Sequence, residues 1–154
     1  VAGGENIEWE EEYSMSAEQN KALIRRGFEE GMNQHNLSVF DGLLAPNYVN
    51  HNMPAPAPGP EGMKQVLAMF LTAFPDFQVT IEDAIAEGDR VATRGTWRGT
   101  HKGDFMGIPA TGKSVSVSYC DIWRFENGKA VENWVQMDML GLMQQLGVAP
   151  GPGQ

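Results

Sequence analysis

The sequence predicts an α+β fold in which helices come first and a strongly curved, mostly antiparallel sheet follows. Three observations predict it. Apolar residues recur at helical spacing in the segments up to Phe74, whereas from Phe77 onward they alternate with polar residues, the period of a strand. Asn127-Gly128 sits between two such alternating runs, and this dipeptide supplies the two positive-φ positions of a type I′ hairpin turn. Helices and strands segregated along the chain mean α+β rather than alternating α/β. Long antiparallel strands twist and curl, so the three N-terminal helices are expected to cover the concave side and leave a conical pocket between the layers. The 154 residues suit one domain. It is expected over 16–148, between an acidic flexible extension, 1–15, and a Pro/Gly-rich disordered tail, 149–154.

In order along the chain, Ser16 and Gln19 fit a capping box, and a helix is expected from there to about Gln34. Ile24, Phe28, Gly31 and Met32 form its apolar stripe, opposite Lys21, Arg25, Glu29 and Glu30. His35 falls at its end, in solvent. Asn36 caps a second short helix to about Leu44, with Val39, Phe40, Leu43 and Leu44 on one side. Tyr48 and Val49 read as a short strand or turn leading to the Pro-rich loop Met53–Pro60. His51, between a buried segment and this long loop, is a candidate functional residue. Pro60 opens a third helix whose Met63, Val66, Leu67, Phe70 and Phe74 are strongly apolar, and Phe74-Pro75-Asp76 ends it.

Phe77, Val79 and Ile81 begin the first long strand, which turns at Glu87-Gly88-Asp89. The next strand, Arg90–His101, carries Val91, Thr93, Gly95 and Trp97 on one face and Ala92, Arg94, Thr96 and Arg98 on the other. Sequence alone leaves open which face looks inward. A glycine-rich loop to Lys113 follows, from which His101 either reaches the pocket mouth or decorates the surface. Met139–Gly147 reads as a short terminal helix closed by its glycine.

The hairpin Val115–Asp138 carries the chemistry. Counting outward from a regular turn, Trp123 should face Glu132, Asp121 should face Trp134, Tyr119 should face Gln136 and Val117 should face Asp138. One face then holds Val117, Tyr119, Asp121, Trp123, Phe125, Glu132, Trp134, Gln136 and Asp138. The other holds Ile122, Arg124, Val131, Asn133, Val135 and Met137. Aromatic rings mixed with carboxylates suit the wall of a partly apolar cavity, and a carboxylate dehydrated there has a raised pKa and can carry protons near neutral pH. Asp121 and Asp138 are the candidate bases. Tyr119, Gln136 and His51 are candidate donors to an enolate oxygen, and Trp97, Trp123 and Trp134 candidate apolar walls.

The formal net charge of −9 argues against a nucleic-acid partner, which needs clustered Lys and Arg. No apolar run approaches the roughly 20 residues that span a bilayer. Residues 1–14 have neither a basic nor an apolar leader segment, so a cytoplasmic location is expected. Cys120 cannot form an intrachain disulfide and reads as a small structural hydrophobe. No zinc spacing, dinucleotide fingerprint or Walker pattern is present, so no metal and no cofactor is expected.

Taken together, GTHKGDFMGIPATGK, DIWRFENGK and ENWVQMDMLGLMQQLG, preceded by YVNH and FPDF, resemble the SnoaL-like polyketide cyclase or ester cyclase branch of the nuclear transport factor two-like superfamily. The resemblance runs from about Ala17 to Val148. It implies a cone-shaped barrel, a bent mixed sheet wrapped round helices, paired as a homodimer through the outer sheet face. It also implies a hydrophobic small-molecule substrate and an intramolecular aldol-type ring closure run by an acidic general acid/base without cofactor. The family's acidic positions fall on Asp138, in W-x-x-x-D, and on Asp121, in D-I-W-R-F, and its pocket histidine falls on His51. A related isomerase or lyase, a non-catalytic binding protein or a hydroxylase-like accessory protein would use the same pocket. The apolar outer face formed by Ile122, Val131, Val135 and Met137 is the expected dimer surface.

Overall fold

A computed structural model describes residues 5–151 and 153. The outermost residues of the expected extension and tail, 1–4, 152 and 154, lie outside the described residues. The elements run α1 (Glu5–Arg26), a wide helical stretch Gly27–Asn33, α2 (Val39–Leu43), β1 (Leu44–Asn50), α3 (Gly59–Ala73), β2 (Gln78–Glu87), β3 (Arg90–Thr100), β4 (Ser114–Glu126), β5 (Lys129–Met137) and α4 (Met139–Leu146). The first helix begins at Glu5 rather than at Ser16, so Ser16 is an interior helical residue and not a cap.

The helices and strands fall where the periodicities place them, except that Ser38 rather than Asn36 precedes α2 and the short strand or turn expected at Tyr48 and Val49 is longer. Leu44–Asn50 is a full strand, parallel to β5, and it completes a five-stranded mixed sheet of order β1-β5-β4-β3-β2. The sheet is curled but not closed, so the expected barrel is an open cone. Its concave side is packed by Ile24 and Phe28 from the first helical segments and by Met63, Val66, Leu67 and Phe70 from α3, all buried. α3 is apolar because it faces the sheet along its length.

The helical stretch Gly27–Asn33 bonds i to i+5, with the Gln34 amide donating to the Glu29 carbonyl at 3.0 Å. Such wide turns re-aim side chains, and here Phe28 and Met32 point into the layer between helix and sheet. Asn33 ends it by mimicking a strand. Its Oδ1 accepts from the Val79 amide at 2.7 Å, and its Nδ2 donates to the Val79 carbonyl at 2.9 Å. This covers part of the free edge of β2, which otherwise invites pairing with another chain. His35 is exposed, as expected from its position.

The turn at Asn127 (φ 50°) and Gly128 (φ 76°) has the expected left-handed geometry, and Glu126 pairs with Lys129. The register beyond it differs from the regular count. Phe125 pairs with Ala130 but Arg124 pairs with Glu132, so Val131 is an extra residue, a β-bulge. Asp121 therefore faces Val135 rather than Trp134, Trp123 faces Asn133 rather than Glu132, and Tyr119 faces Met137 rather than Gln136. The physical reason is burial: Ala130 (0% exposed) and Val131 (6%) are adjacent, and a regular strand cannot turn two neighbours to one side. Because side chains alternate, one inserted residue exchanges the faces of everything after it. Asn133, Val135 and Met137 point inward, and Glu132, Trp134 and Gln136 point outward.

Candidate active site

Among the described residues, seventeen from all five strands, two helical segments and the loops after β1 and α3 surround one cavity of about 70 Å³ between the sheet and the helices. β4 supplies Tyr119, Asp121 and Trp123, whose alternation with exposed Ser118, Cys120 and Ile122 is regular. β3 supplies Trp97, which settles the question the sequence left open: Val91, Thr93, Gly95 and Trp97 face inward and are buried. The bulged half of β5 supplies Asn133, Val135 and Met137, and the helices supply Phe28, Met32, Met63, Val66, Leu67 and Phe70.

Among the described residues, Asp121 is the one carboxylate lining this cavity, 5% exposed. Thr93 lies directly across the strands from it, and the Thr93 hydroxyl donates to Asp121 Oδ1 at 2.6 Å. The same hydroxyl oxygen is 3.3 Å from the Tyr119 hydroxyl oxygen. A hydroxyl has one hydrogen, so while Thr93 gives its own to the carboxylate, Tyr119 is the donor of the second contact. Tyr119, Thr93 and Asp121 thus form a short hydroxyl chain ending on the carboxylate. Burial pushes the Asp121 carboxyl up from 3.8 to about 6, against the hydrogen bonds of Thr93 and the nearby Trp123 indole N–H, which pull it down. That N–H is itself buried and, among the described residues, has no hydrogen-bond partner of regular geometry. Burial also pushes the Tyr119 hydroxyl up to about 12 and the Tyr48 hydroxyl above the usual phenol range, with the Asp121 charge adding to both.

A second polar line runs along the cavity's other side. The Asn133 amide, 2% exposed, donates to the Ile122 carbonyl at 3.1 Å and accepts from Asn50 Nδ2 at 3.1 Å. Asn50 Oδ1 in turn accepts from the Asn52 and Met53 amides. The buried Asn133 amide and the half-buried Asn50 amide are both tied down, as polar groups taken from water must be.

The sequence candidates divide. Asp121, Tyr119, Trp97 and Trp123 come together around the cavity. Trp134 lies on the outer face, opposite Ile122, with its ring against His51 (4.9 Å) and under the Arg90 guanidinium (5.4 Å). His51 is exposed beside it and its Nε2 is 3.1 Å from Glu132, while Gln136 is exposed on the same side. Trp134 and Gln136 leave the cavity because of the bulge, and His51, just past the end of β1, is held beside them by its backbone bond to the Asn133 carbonyl. Asp138 is exposed and caps α4, its Oδ1 accepting from the Gly141 amide at 2.8 Å. His101 is fully buried under the loop, packed on Phe74, with Nδ1 accepting from the Thr111 amide at 3.2 Å. Neither His101 nor Asp138 lines the cavity. Cys120, expected as a packed hydrophobe, is exposed. Of the four apolar residues expected on the outer face, only Ile122 stays exposed; Val131 is buried, and Val135 and Met137 line the cavity.

Sequence reasoning missed Thr93, Asn133, Asn50 and Tyr48. Thr93 was visible as the polar member of a Val-Thr-Gly-Trp alternation, and fixing that face inward would have placed it opposite Asp121. Asn133 was hidden by the bulge.

The arrangement is a buried carboxylate in a mostly apolar cavity with hydroxyl and indole groups around it. At pH 7 a carboxyl of pKa about 6 is roughly nine-tenths ionised, yet basic enough to take a proton and return it. Among the described residues, no three His, Cys, Asp or Glu side chains are grouped as metal ligands would be.

A family model described as SnoaL-like polyketide cyclase matches residues 22–146. Solved structures match as well. TsrD from Streptomyces laurentii is 31% identical with a TM-score of 0.79, over 85% of this chain and 96% of that one. AclR from Streptomyces galilaeus, described as a proposed hydroxylase, is 33% identical with a TM-score of 0.77, over 88% and 89%. IdmH from Streptomyces antibioticus, described as a proposed polyketide cyclase, is 33% identical with a TM-score of 0.72, over 84% and 99%. Comparison with curated proteins finds no match.

Proposed function

The chain belongs to the SnoaL-like polyketide cyclase family, and from that premise we propose that it is a cofactor-independent acid/base enzyme acting on a small, hydrophobic, polyketide-like carbonyl compound. Asp121 is its general base and acid. The observation that carries this reading is one buried carboxylate, raised to about 6, in a mostly apolar cavity with the Trp123 N–H beside it.

The chemistry balances without a co-reactant. Asp121 removes a proton from a carbon next to a carbonyl, leaving an enolate. The enolate carbon attacks a second carbonyl of the same molecule, forming a carbon–carbon bond. The proton held by Asp121 then returns to the new alkoxide, so the product is an isomer of the substrate. The Trp123 indole N–H, on a cavity-lining residue and without a partner of regular geometry among the described residues, is the donor available to the enolate oxygen, and a donor already in place costs little reorganisation. The same first step serves an isomerase or a lyase.

The test needs no natural substrate. In D₂O with butan-2-one, the protein should exchange α-hydrogens for deuterium faster than buffer, read by proton NMR, and Asp121→Asn should lose the effect. Equal exchange by the two proteins would remove Asp121 from the chemistry. The likeness to AclR favours a second reading, a hydroxylase-like or purely binding role for the same cavity. A ligand held tightly with no α-exchange would select it. Pairing through the outer sheet face, around Ile122 and Trp134, belongs to the same proposal. Light scattering at micromolar concentration should give twice the monomer mass.

A further inference from the structure

The inner cavity is small for the reaction just described, and it has a neighbour. A second chamber of about 240 Å³ lies under the Pro-rich strap, bounded by Tyr48, Val49 and the chain from Met53 to Gly59. Asn50, Met53, Met63 and Val66 line both chambers, so these four side chains are the partition between them. Two of them are methionines, unbranched and adaptable, the side chains best able to move aside for a ligand.

The strap is a built wall. Gly59 takes φ +70°, and a Cβ there would meet the Pro46 carbonyl oxygen at 2.5 Å. A Cβ on Gly62 would lie 1.7 Å from the Ala57 carbonyl oxygen, so α3 and the strap touch backbone to backbone. Pro54, Pro56 and Pro58 stiffen the span. At its start the strap is tied, through Asn50, to the buried Asn133 of the inner chamber.

Volume decides which part of a ligand goes where. An engineered apolar cavity of about 150 Å³ accepts a benzene ring, and sites for drug-sized ligands run from about 300 Å³. The inner chamber, about 70 Å³, is below the first figure, whereas the outer chamber, about 240 Å³, exceeds it. Among the described residues, no charged side chain other than Asp121 lines either chamber.

Resting on the small-molecule reading above, we propose that the two chambers form one divided site. A slim carbonyl-bearing end group passes between Met53 and Met63 to reach Asp121, and the uncharged bulk of the same molecule, rings included, stays in the outer chamber under the strap. The preferred substrate class is therefore a neutral compound whose reacting ketone or acyl group sits at the end of a narrow arm, not directly on a ring.

Two isomers of equal composition separate the outcomes. 4-Phenylbutan-2-one carries its carbonyl on a slim methyl-ketone arm; 1-phenylbutan-1-one carries it on the ring. By titration calorimetry the first should bind at least about tenfold more tightly, the scale at which one ill-fitting apolar group is felt. Val49→Trp, on an exposed strand position that borders the outer chamber, should weaken the first isomer by about tenfold more than the second. Met63→Ala should open the partition and narrow the gap between the isomers. Equal affinities, a reversed order or an unmoved ratio in Val49→Trp would overturn the divided site and leave the small-molecule reading standing. Failure of both isomers to bind would take down that reading, and the divided site with it.

Discussion

Asp121 and Glu132 lie on the same hairpin, eleven positions apart in sequence and on opposite faces, and their surroundings set them to opposite tasks. Asp121 looks inward, loses its water and is pushed up to about 6. Glu132 looks outward, where the Arg124 guanidinium and the His51 ring hold its carboxyl below the usual range. Burial holds the inner group toward its protonated form; an ion-pair network holds the outer one charged. Identical functional groups thus become a candidate base or a surface anchor according to which way one strand is turned. Val131 turns it.

The most drastic way to break the contrast is to remove the extra residue. Deleting Val131 would restore the regular count and drive Glu132, Trp134 and Gln136 into the core, which should cost more than about 4 kcal/mol and abolish a cooperative melt by circular dichroism.

Next in size is Asp121→Asn. General acid/base groups contribute roughly 10²- to 10⁴-fold, so α-hydrogen exchange should fall by that factor. Stability should move the other way. A carboxyl raised from 3.8 to about 6 on folding is held protonated more tightly by the native state than by the unfolded chain. Stability is therefore lost as pH rises through the window from about 4 to about 6, by about 3 kcal/mol at roughly 1.4 kcal/mol per pH unit. Urea melts at pH 4 and pH 7 should show this loss in the parent protein and not in Asp121→Asn.

A finer adjustment is Thr93→Val. Exchange in the parent should rise with pH to a midpoint near 6. Loss of the Thr93 hydroxyl, which favours the ionised carboxylate, should move that midpoint upward and slow exchange less than Asp121→Asn does. A change in rate with no change in midpoint would mean that Thr93 acts only through packing.

The smallest effect belongs to the outer face. Glu132→Gln, in a partly exposed ion-pair network, should change stability by no more than about 1 kcal/mol and leave the pH midpoint of exchange in place. A shift in that midpoint would show that the two faces are coupled through the strand, and the contrast would need redrawing.

Much of the site was legible because β4 is regular. Its thirteen residues alternate without interruption, so Tyr119, Asp121 and Trp123 follow from counting alone. The residues that misled are those whose orientation is set at a distance. His51 follows β1, whose parallel pairing with β5 joins segments about eighty residues apart, and its backbone N–H bonds to the Asn133 carbonyl. Asp138 carries a plausible motif, yet the start of α4 uses its carboxylate as a cap. His101 looked like a loop residue and is buried, because the loop folds back so that its backbone bonds to Lys113 and Gly112.

By itself the sequence determined the α+β class, the helical and strand segments, the Asn127-Gly128 turn and the inward carboxylate of β4, since each depends on spacing among near neighbours. Only the tertiary structure decided which half of β5 joins that carboxylate. The choice rests on burying Ala130 and Val131 together against elements distant in the chain, and a two-residue periodicity carries no record of a residue inserted for the sake of packing elsewhere.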